Sequence, residues 1–483
     1  MPINIGNRLL GLGTWALVTL PVWGALIAPL VLAWAILIFN TYWFFRSASL
    51  AVGAGLGYIR LRRAEKIDWL GRASALPGFE KVQHLILIPT YQEADEVLHA
   101  TLDHLVNQDF PSDRISVVLA FEARDKEAPA RAARLLSHYR PKFNGLWALF
   151  HPAQIGDVPG KSSNLAWAGP RACKLLARRG ITGSDVLVTV CDADSRLHPR
   201  YLSALSESHL SDPARADHLY QPAILFHANM DRLLPWLRIS NCAYSAWSLA
   251  RLALGSRLVL QSTYSLPLDL CIAVGYWDAD VIPEDSRICF KVMLNRGEPA
   301  RVKPIYLPVL ADAAEGATVW ETMLAQYRQI RRWAWGASDV SYVVTGLARS
   351  MTVDGRRPRL APVLGFIEDH MSWPSHWFLI TLGLHLPPLL APPFAHSPQG
   401  IAILNLASAV ITASLPCLLV AIAVDRLLRG MPVNPLEWLY EFFGWLLLPI
   451  LGLAFVTLPA LDAHTRMLFG RPLSYQATPK LAP

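Results

Sequence analysis

From Leu9 to Tyr58 the chain runs apolar with a single charged residue, Arg46, far enough for two membrane helices of about 20 residues each. Pro21, Gly24 and Pro29 place the turn of this hairpin near its middle, and TYWFF (41–45) resembles an interfacial aromatic belt. Apolar segments return after Met371, at 373–394, 401–424 and 435–461, each long enough to span. The pattern between them differs. HLILIPTYQE (84–93) is a short apolar run that stops at a proline and turns polar, as a buried parallel strand does at its carboxyl end. SVVLAF (116–121), LWALF (146–150) and VLVTV (186–190) repeat the theme, separated by stretches with apolar residues at helical spacing. This alternation predicts a largely parallel, doubly wound α/β sheet with ligands at the carboxyl ends of its strands.

The expected organisation is a helix pair at 1–59, an α/β domain with interfacial helices at 60–345, an interfacial linker at 346–372, membrane segments at 373–462 and a tail at 463–483. With 53% hydrophobic and 17% charged residues, the chain is too apolar for an ordinary soluble enzyme and too polar for an all-membrane bundle. Arg8 before the first hairpin and RLRRAEK (60–66) after it put both ends, and so the middle domain, in the cytoplasm. The first apolar run is too long for a cleaved leader. Arg426 and Arg429 mark another cytoplasmic loop, but a single crossing by 435–461 would export Arg466, Arg471 and Lys480. Pro449 and Pro459 offer a broken or re-entrant helix as the alternative.

The net charge of +7 needs no nucleic-acid partner, because cytoplasmic loops facing anionic lipid account for it, GRRPR (355–359) among them. Six scattered cysteines without CxxC spacing read as reduced thiols. No GxGxxG or GxxxxGKS supports a dinucleotide or P-loop site.

Candidate chemistry sits at three places. Asp192 and Asp194 in CDADS follow a strand, and alternation in an extended segment would let both carboxylates bind one Mg²⁺ or Mn²⁺; a loop-capping pair is the plainer reading. Glu284 and Asp285 in PEDSR open a helix, either as its N-terminal acids or with Asp285 as a general base. In QIRRW, Gln329, Arg332 and Trp333 fall at i, i+3 and i+4, so one helix face presents an amide, a guanidinium and an indole. Such a helix also suits a membrane surface, with Arg328, Arg331 and Trp335 as lipid anchors. Segment 236–255 reads equally as an interfacial or a core helix, and His227 and Asn229 read first as strand-end hydrogen-bonding residues, with an acceptor-facing role as the alternative.

The order IPTYQE, GKSSN, DAD, PED, QIRRW resembles the family 2 inverting glycosyltransferases, specifically the membrane-integrated branch with cellulose, chitin and hyaluronan synthases, over Leu85 to Asp339. The resemblance implies a GT-A-type (Rossmann-like) domain framed by membrane helices in the inner membrane. It implies that Thr90, Tyr91 and Glu93 hold the base and ribose and that Lys161 secures the diphosphate. Asp192 and Asp194 would contact nucleotide and metal, Asp194 more directly. Asp285 would deprotonate the acceptor, Gln329 and Arg332 would bind the donor with arginine at the diphosphate, and Trp333 would pack near the acceptor sugar. The implied reaction moves a sugar from a nucleotide-sugar, a UDP-sugar in first place, onto a growing β-linked polysaccharide. A membrane-lipid acceptor is the alternative, and a non-catalytic receptor or scaffold the third reading. Two stretches depart from the family pattern: AFEARD offers only Glu122 or Asp125 for base recognition, and LQSTYSLPLDLC (260–271) stands before the acceptor region.

Overall fold

The computed structural model describes residues 5–152, 154–183, 185–430, 436, 439 and 443–474. The middle of the chain builds one eight-stranded sheet. Its strands are β1 (Gln83–Thr90), β2 (Ile115–Glu122), β3 (Gly145–His151), β4 (Val186–Val190), β5 (Arg196–Leu197), β6 (His218–Leu225), β7 (Tyr264–Pro267) and β8 (Arg301–Leu310), in the order β3-β2-β1-β4-β7-β6-β8-β5. Alternate residues of β1 feed two cores: Leu85 and Leu87 pack with Val188 and Val190 on one face, Ile86 and Ile88 with Leu187 on the other. Burial on both faces explains why these strands read as unbroken apolar runs. Helix Lys161–Ala177 covers the first face, while helices Asp95–Val106 and Ala128–Tyr139 cover the second.

The expected parallel pairing holds across β3-β2-β1-β4 and again between β6 and β8. β7 lies antiparallel between β4 and β6, and β5 antiparallel on β8, so the sheet is mixed. The reversal of β7 has a direct consequence for the carboxyl edge of β4. Its register pairs Val190 with Tyr264, so the chain entering β7 passes the end of β4 and brings Ser262 opposite Asp192.

Four helical stretches are long and apolar enough to cross a membrane: Ile5–Ile27, Pro29–Ala64, Pro398–Leu428 and Leu448–Leu468. The hairpin turns at Ala28, with Pro29 opening the second helix, where its missing N–H costs nothing. Arg46, the lone charge of that run, is spent internally on Glu368 and Asp369 of helix Leu360–His385. Segment 373–394 is not among the four spans: it is the end of helix Leu360–His385, followed by single turns at Pro387–Leu390 and Pro392–Ala395. Pro387 and Pro388 cannot extend the helix, so it stops there. Of segment 435–461, residues 435, 437–438 and 440–442 lie outside the described residues, as does Lys480. Its remainder does not break at Pro459: helix runs from Leu448 to Leu468 through one π-helical turn, Leu453–Thr457, just before that proline.

Glycines let the long apolar helix Pro29–Ala64 meet the α/β domain. A Cβ on Gly57 would stand 2.7 Å from Leu249 Cγ, and one on Gly53 3.0 Å from the Ala250 carbonyl, so helix Pro29–Ala64 lies directly on helix Pro235–Leu254. The latter helix is thereby mostly core, with Leu249, Ala250 and Leu252 buried and Trp236 and Leu254 left partly exposed at its two ends.

Candidate active site

The carboxyl edge of β1 and β4 carries the polar residues. At the end of β1, Thr90 Oγ1 and the Tyr91 N–H both donate to Glu93, folding YQE into a tight turn. Gln92 takes φ 64° there, and its N–H donates to Asp125 Oδ2 at 3.2 Å. Asp125 is buried and also ion-paired with Arg131 at 2.8 Å, so its task is to hold this turn. Glu122 pairs with Arg124, whose guanidinium lies 3.8 Å from the centre of the Tyr91 ring. Arg124 thus stacks on Tyr91 at the end of β1 as a cation–π pair.

β4 ends at Val190, and Asp192–Ser195 closes a turn, Ser195 N to Asp192 O at 2.9 Å, in place of the expected extended alternation. The two aspartates therefore face different neighbours. Asp194 is buried and accepts the Asp312 N–H at 3.0 Å. Asp192 is more open and meets Lys161 Nζ at 2.6 Å and the Ser262 hydroxyl at 2.6 Å.

Lys161 opens helix Lys161–Ala177 behind Gly160, whose φ of 143° favours glycine. Its Nζ touches Asp192, Glu284 at 2.5 Å and the Ser262 carbonyl at 2.7 Å. Burial works against its charge, yet Asp192 and Glu284 hold the ammonium well above the usual lysine range. One ammonium faces three carboxylates, so one of them must carry the excess. Burial pushes Glu284 up to about 7, Lys161 opposing and Asp285 and Asp192 reinforcing. Glu284 is thus not merely a helix-start acid but the partner of Lys161.

Asp285, in the first turn of helix Glu284–Arg296, accepts the Ser262 N–H at 2.9 Å on Oδ2. Below it, Arg287 and Ser286 both bind Asp339. Burial and the Asp285 charge also raise the phenol of Tyr244, which stacks 4.8 Å from Trp333, itself 5.6 Å from Phe226.

Gln329, Arg332 and Trp333 share helix Val319–Ala334, started by a capping box between Thr318 and Glu321. Gln329 is buried, and its Oε1 meets no donor among the described residues. Arg331 and Trp335 are not lipid anchors: Arg331 pairs with Asp462 at 2.7 Å, and Trp335 is buried with Ala460, Ala463 and Met467. Asn229 binds Ala313 and Glu315, a structural role, and His227 approaches Asp425 at 3.2 Å.

Among the described residues no three His, Cys, Asp or Glu side chains form a metal cage. Asp192 and Asp194 sit on one turn but are engaged separately, Asp192 by Lys161 and Ser262 and Asp194 by the Asp312 N–H.

A sequence-family model described as glycosyl transferase family group 2 matches residues 187–458, from β4 through Asp192, Asp285 and Trp333 into the last of the four long apolar helical stretches. The chain belongs to this family. It is a glycosyltransferase with an α/β fold of GT-A type. The match leaves β1 to β3 and Lys161 outside. No curated protein matches the chain. Among solved structures, the mannosyltransferase PcManGT from Pyrobaculum calidifontis, in complex with GDP-Man and Mn²⁺, is 17% identical over 80% of this chain and 99% of its own, at a TM-score of 0.45. S. aureus TarS 1–349 is 14% identical over 73% of this chain and 93% of its own, at 0.33, and its UDP-GlcNAc complex gives 15% and 0.32.

Proposed function

We propose that this glycosyltransferase is membrane-embedded and moves a sugar from a nucleoside diphosphate sugar, a UDP-sugar in first place, onto a growing β-linked polysaccharide with inversion. The observation that carries this reading is the cluster of Lys161, Asp192, Glu284 and Asp285 at one strand edge, a buried cation among carboxylates beside a potential base. Thr90, Tyr91 and Glu93 flank the base and ribose. Lys161, at a helix N-terminus, and Arg332 with Gln329 meet the diphosphate, whose arrival competes with the carboxylates now holding the ammonium. A divalent ion on Asp192 and Asp194 would carry part of the phosphate charge. Asp285 accepts the acceptor hydroxyl proton as that oxygen bonds to the anomeric carbon and the carbon–phosphate oxygen bond breaks, releasing nucleoside diphosphate. Trp333, on its platform of Tyr244 and Phe226, packs the acceptor sugar. In this reading the four apolar helical stretches sit in the inner membrane with the α/β domain in the cytoplasm.

Detergent-purified protein, given a panel of nucleotide-sugars with Mg²⁺ or Mn²⁺, tests this when products are sized by mass spectrometry. One active donor yielding an oligosaccharide ladder, lost in Asp285→Asn, is the expected result. One sugar on extractable lipid replaces the polymer with a lipid acceptor. No release with any donor, primers and lipids supplied, overturns transfer in favour of a scaffold.

A further inference from the structure

Ser262 lies in the LQST stretch that departs from the family pattern, and every polar atom it owns is engaged inside the site. Its N–H donates to Asp285 Oδ2 at 2.9 Å, its hydroxyl to Asp192 Oδ2 at 2.6 Å, and its carbonyl accepts Lys161 Nζ at 2.7 Å. Three groups, contributed from 161, 192 and 285, converge on one residue.

The backbone needed for this is unusual. Ser262 has φ 55°, a left-handed conformation sparsely used by residues with a Cβ. In that conformation its N–H and carbonyl point to two different carriers of charge while the side chain reaches a third. Gln221 keeps it there: buried on β6, its Oε1 accepts the Gln261 N–H at 2.8 Å, and its Nε2 donates to the carbonyls of Gln261 at 3.1 Å and Thr263 at 3.2 Å. Thr263, the next residue, accepts the Asp192 N–H at 3.3 Å. The loop is thus clamped on both sides of Ser262, and the strained residue is over-determined by its surroundings, as strained residues at working sites are.

We propose that Ser262 is the positioning residue that holds the donor-side carboxylate Asp192 and the base Asp285 in one frame. This rests on the transferase reading above. The hydroxyl orients Asp192 toward the nucleotide and its cation; the left-handed N–H orients Asp285 toward the acceptor. The two halves are separable, because substitutions that delete the hydroxyl differ in how well they tolerate positive φ. Alanine matches the serine backbone, glycine relaxes it, and β-branched valine resists it.

The test uses the full chain in detergent. Affinity for UDP and GDP with Mn²⁺ is measured by calorimetry, kcat and KM on the active donor, and Tm as a folding control. Ser262→Ala, Ser262→Gly and Ser262→Val all lose the hydroxyl, so each is expected to bind the Mn²⁺–nucleotide about tenfold more weakly, the usual effect of removing a group that orients a ligand carboxylate. Ala and Gly keep kcat within about threefold, whereas Val loses at least about tenfold more, at comparable Tm. Ser262→Ala with wild-type nucleotide affinity, or a Val variant whose kcat equals that of Ala, overturns the proposal. Wild-type protein that binds neither nucleotide and releases none overturns the transferase reading itself, which no Ser262 variant can do.

Discussion

The Arg287 guanidinium holds the Asp339 carboxylate, Nε to Oδ1 at 2.9 Å, with both side chains sealed from solvent. Ser286 adds a second hydrogen bond to Asp339 at 3.0 Å, so the two residues that follow Asp285 are fixed to a point six residues beyond Trp333. Asp285 and the Gln329–Trp333 helix are joined by this clasp. Asp339→Ala strands a buried cation and is expected to cost about 3–5 kcal/mol, with lowered Tm and activity. Arg287→Met with Asp339→Leu is expected to regain much of the Tm but not the kcat. Thermal melts beside initial rates check both.

Glu284 supplies a pH dependence with a definite sign. Burial lifts its folded value from 4.5 to about 7, so between these values the folded chain keeps a proton that the unfolded chain gives up. Stability from this group is present below about 4.5 and is lost as pH rises through about 7. Glu284→Gln mimics the protonated form. Its Tm is expected to match wild type near the lower value, rise above it across the window, and hold a constant lead beyond. A lead that narrows with rising pH would mean that Lys161 stabilises the carboxylate outright.

Gly57 lets two helices touch, its missing Cβ leaving 2.7 Å to Leu249 Cγ and 2.8 Å to the Leu249 carbonyl. The carbonyl is backbone and cannot swing aside. Gly57→Ala is expected to destabilise by about 1–3 kcal/mol, the cost of overpacking, while Gly55→Ala, with nothing within 4 Å, is expected to be silent. Melting both variants in detergent distinguishes close packing from a general intolerance of alanine.

Trp333 rests on Tyr244 and Phe226. Trp333→Ala is expected to raise the acceptor KM about tenfold, on the order of 1–1.5 kcal/mol for an aromatic contact, and to leave UDP affinity unaltered. An effect on UDP affinity instead would place the indole on the donor side.

Much of this was legible in the chain. Apolar runs ending in polar residues located β1, β2, β3 and β4, because parallel strands buried on both faces leave that trace. Helical spacing put Gln329, Arg332 and Trp333 on one helix. The direction of β7 was not legible, since four residues, YSLP, carry burial but no sense of travel, and with it went the role of Ser262. The pairing of Lys161 with Glu284 was hidden similarly, being made between segments over a hundred positions apart. Arg331 and Trp335 misled for another reason: a lipid headgroup and a helix carboxylate both suit an arginine, hydrocarbon and a helix partner both suit a tryptophan, and only the fold shows that Asp462 and Ala460 stand opposite.

Because β7 fills the place between β4 and β6, assembly of the sheet has an order during synthesis. Everything up to β4 forms a parallel half whose last strand exposes a row of unpaired backbone groups until Tyr264–Pro267 has been made. A ribosome stalled between these points holds a sticky edge. A prematurely stopped chain is accordingly a candidate for quality-control proteolysis, quite apart from any loss of chemistry.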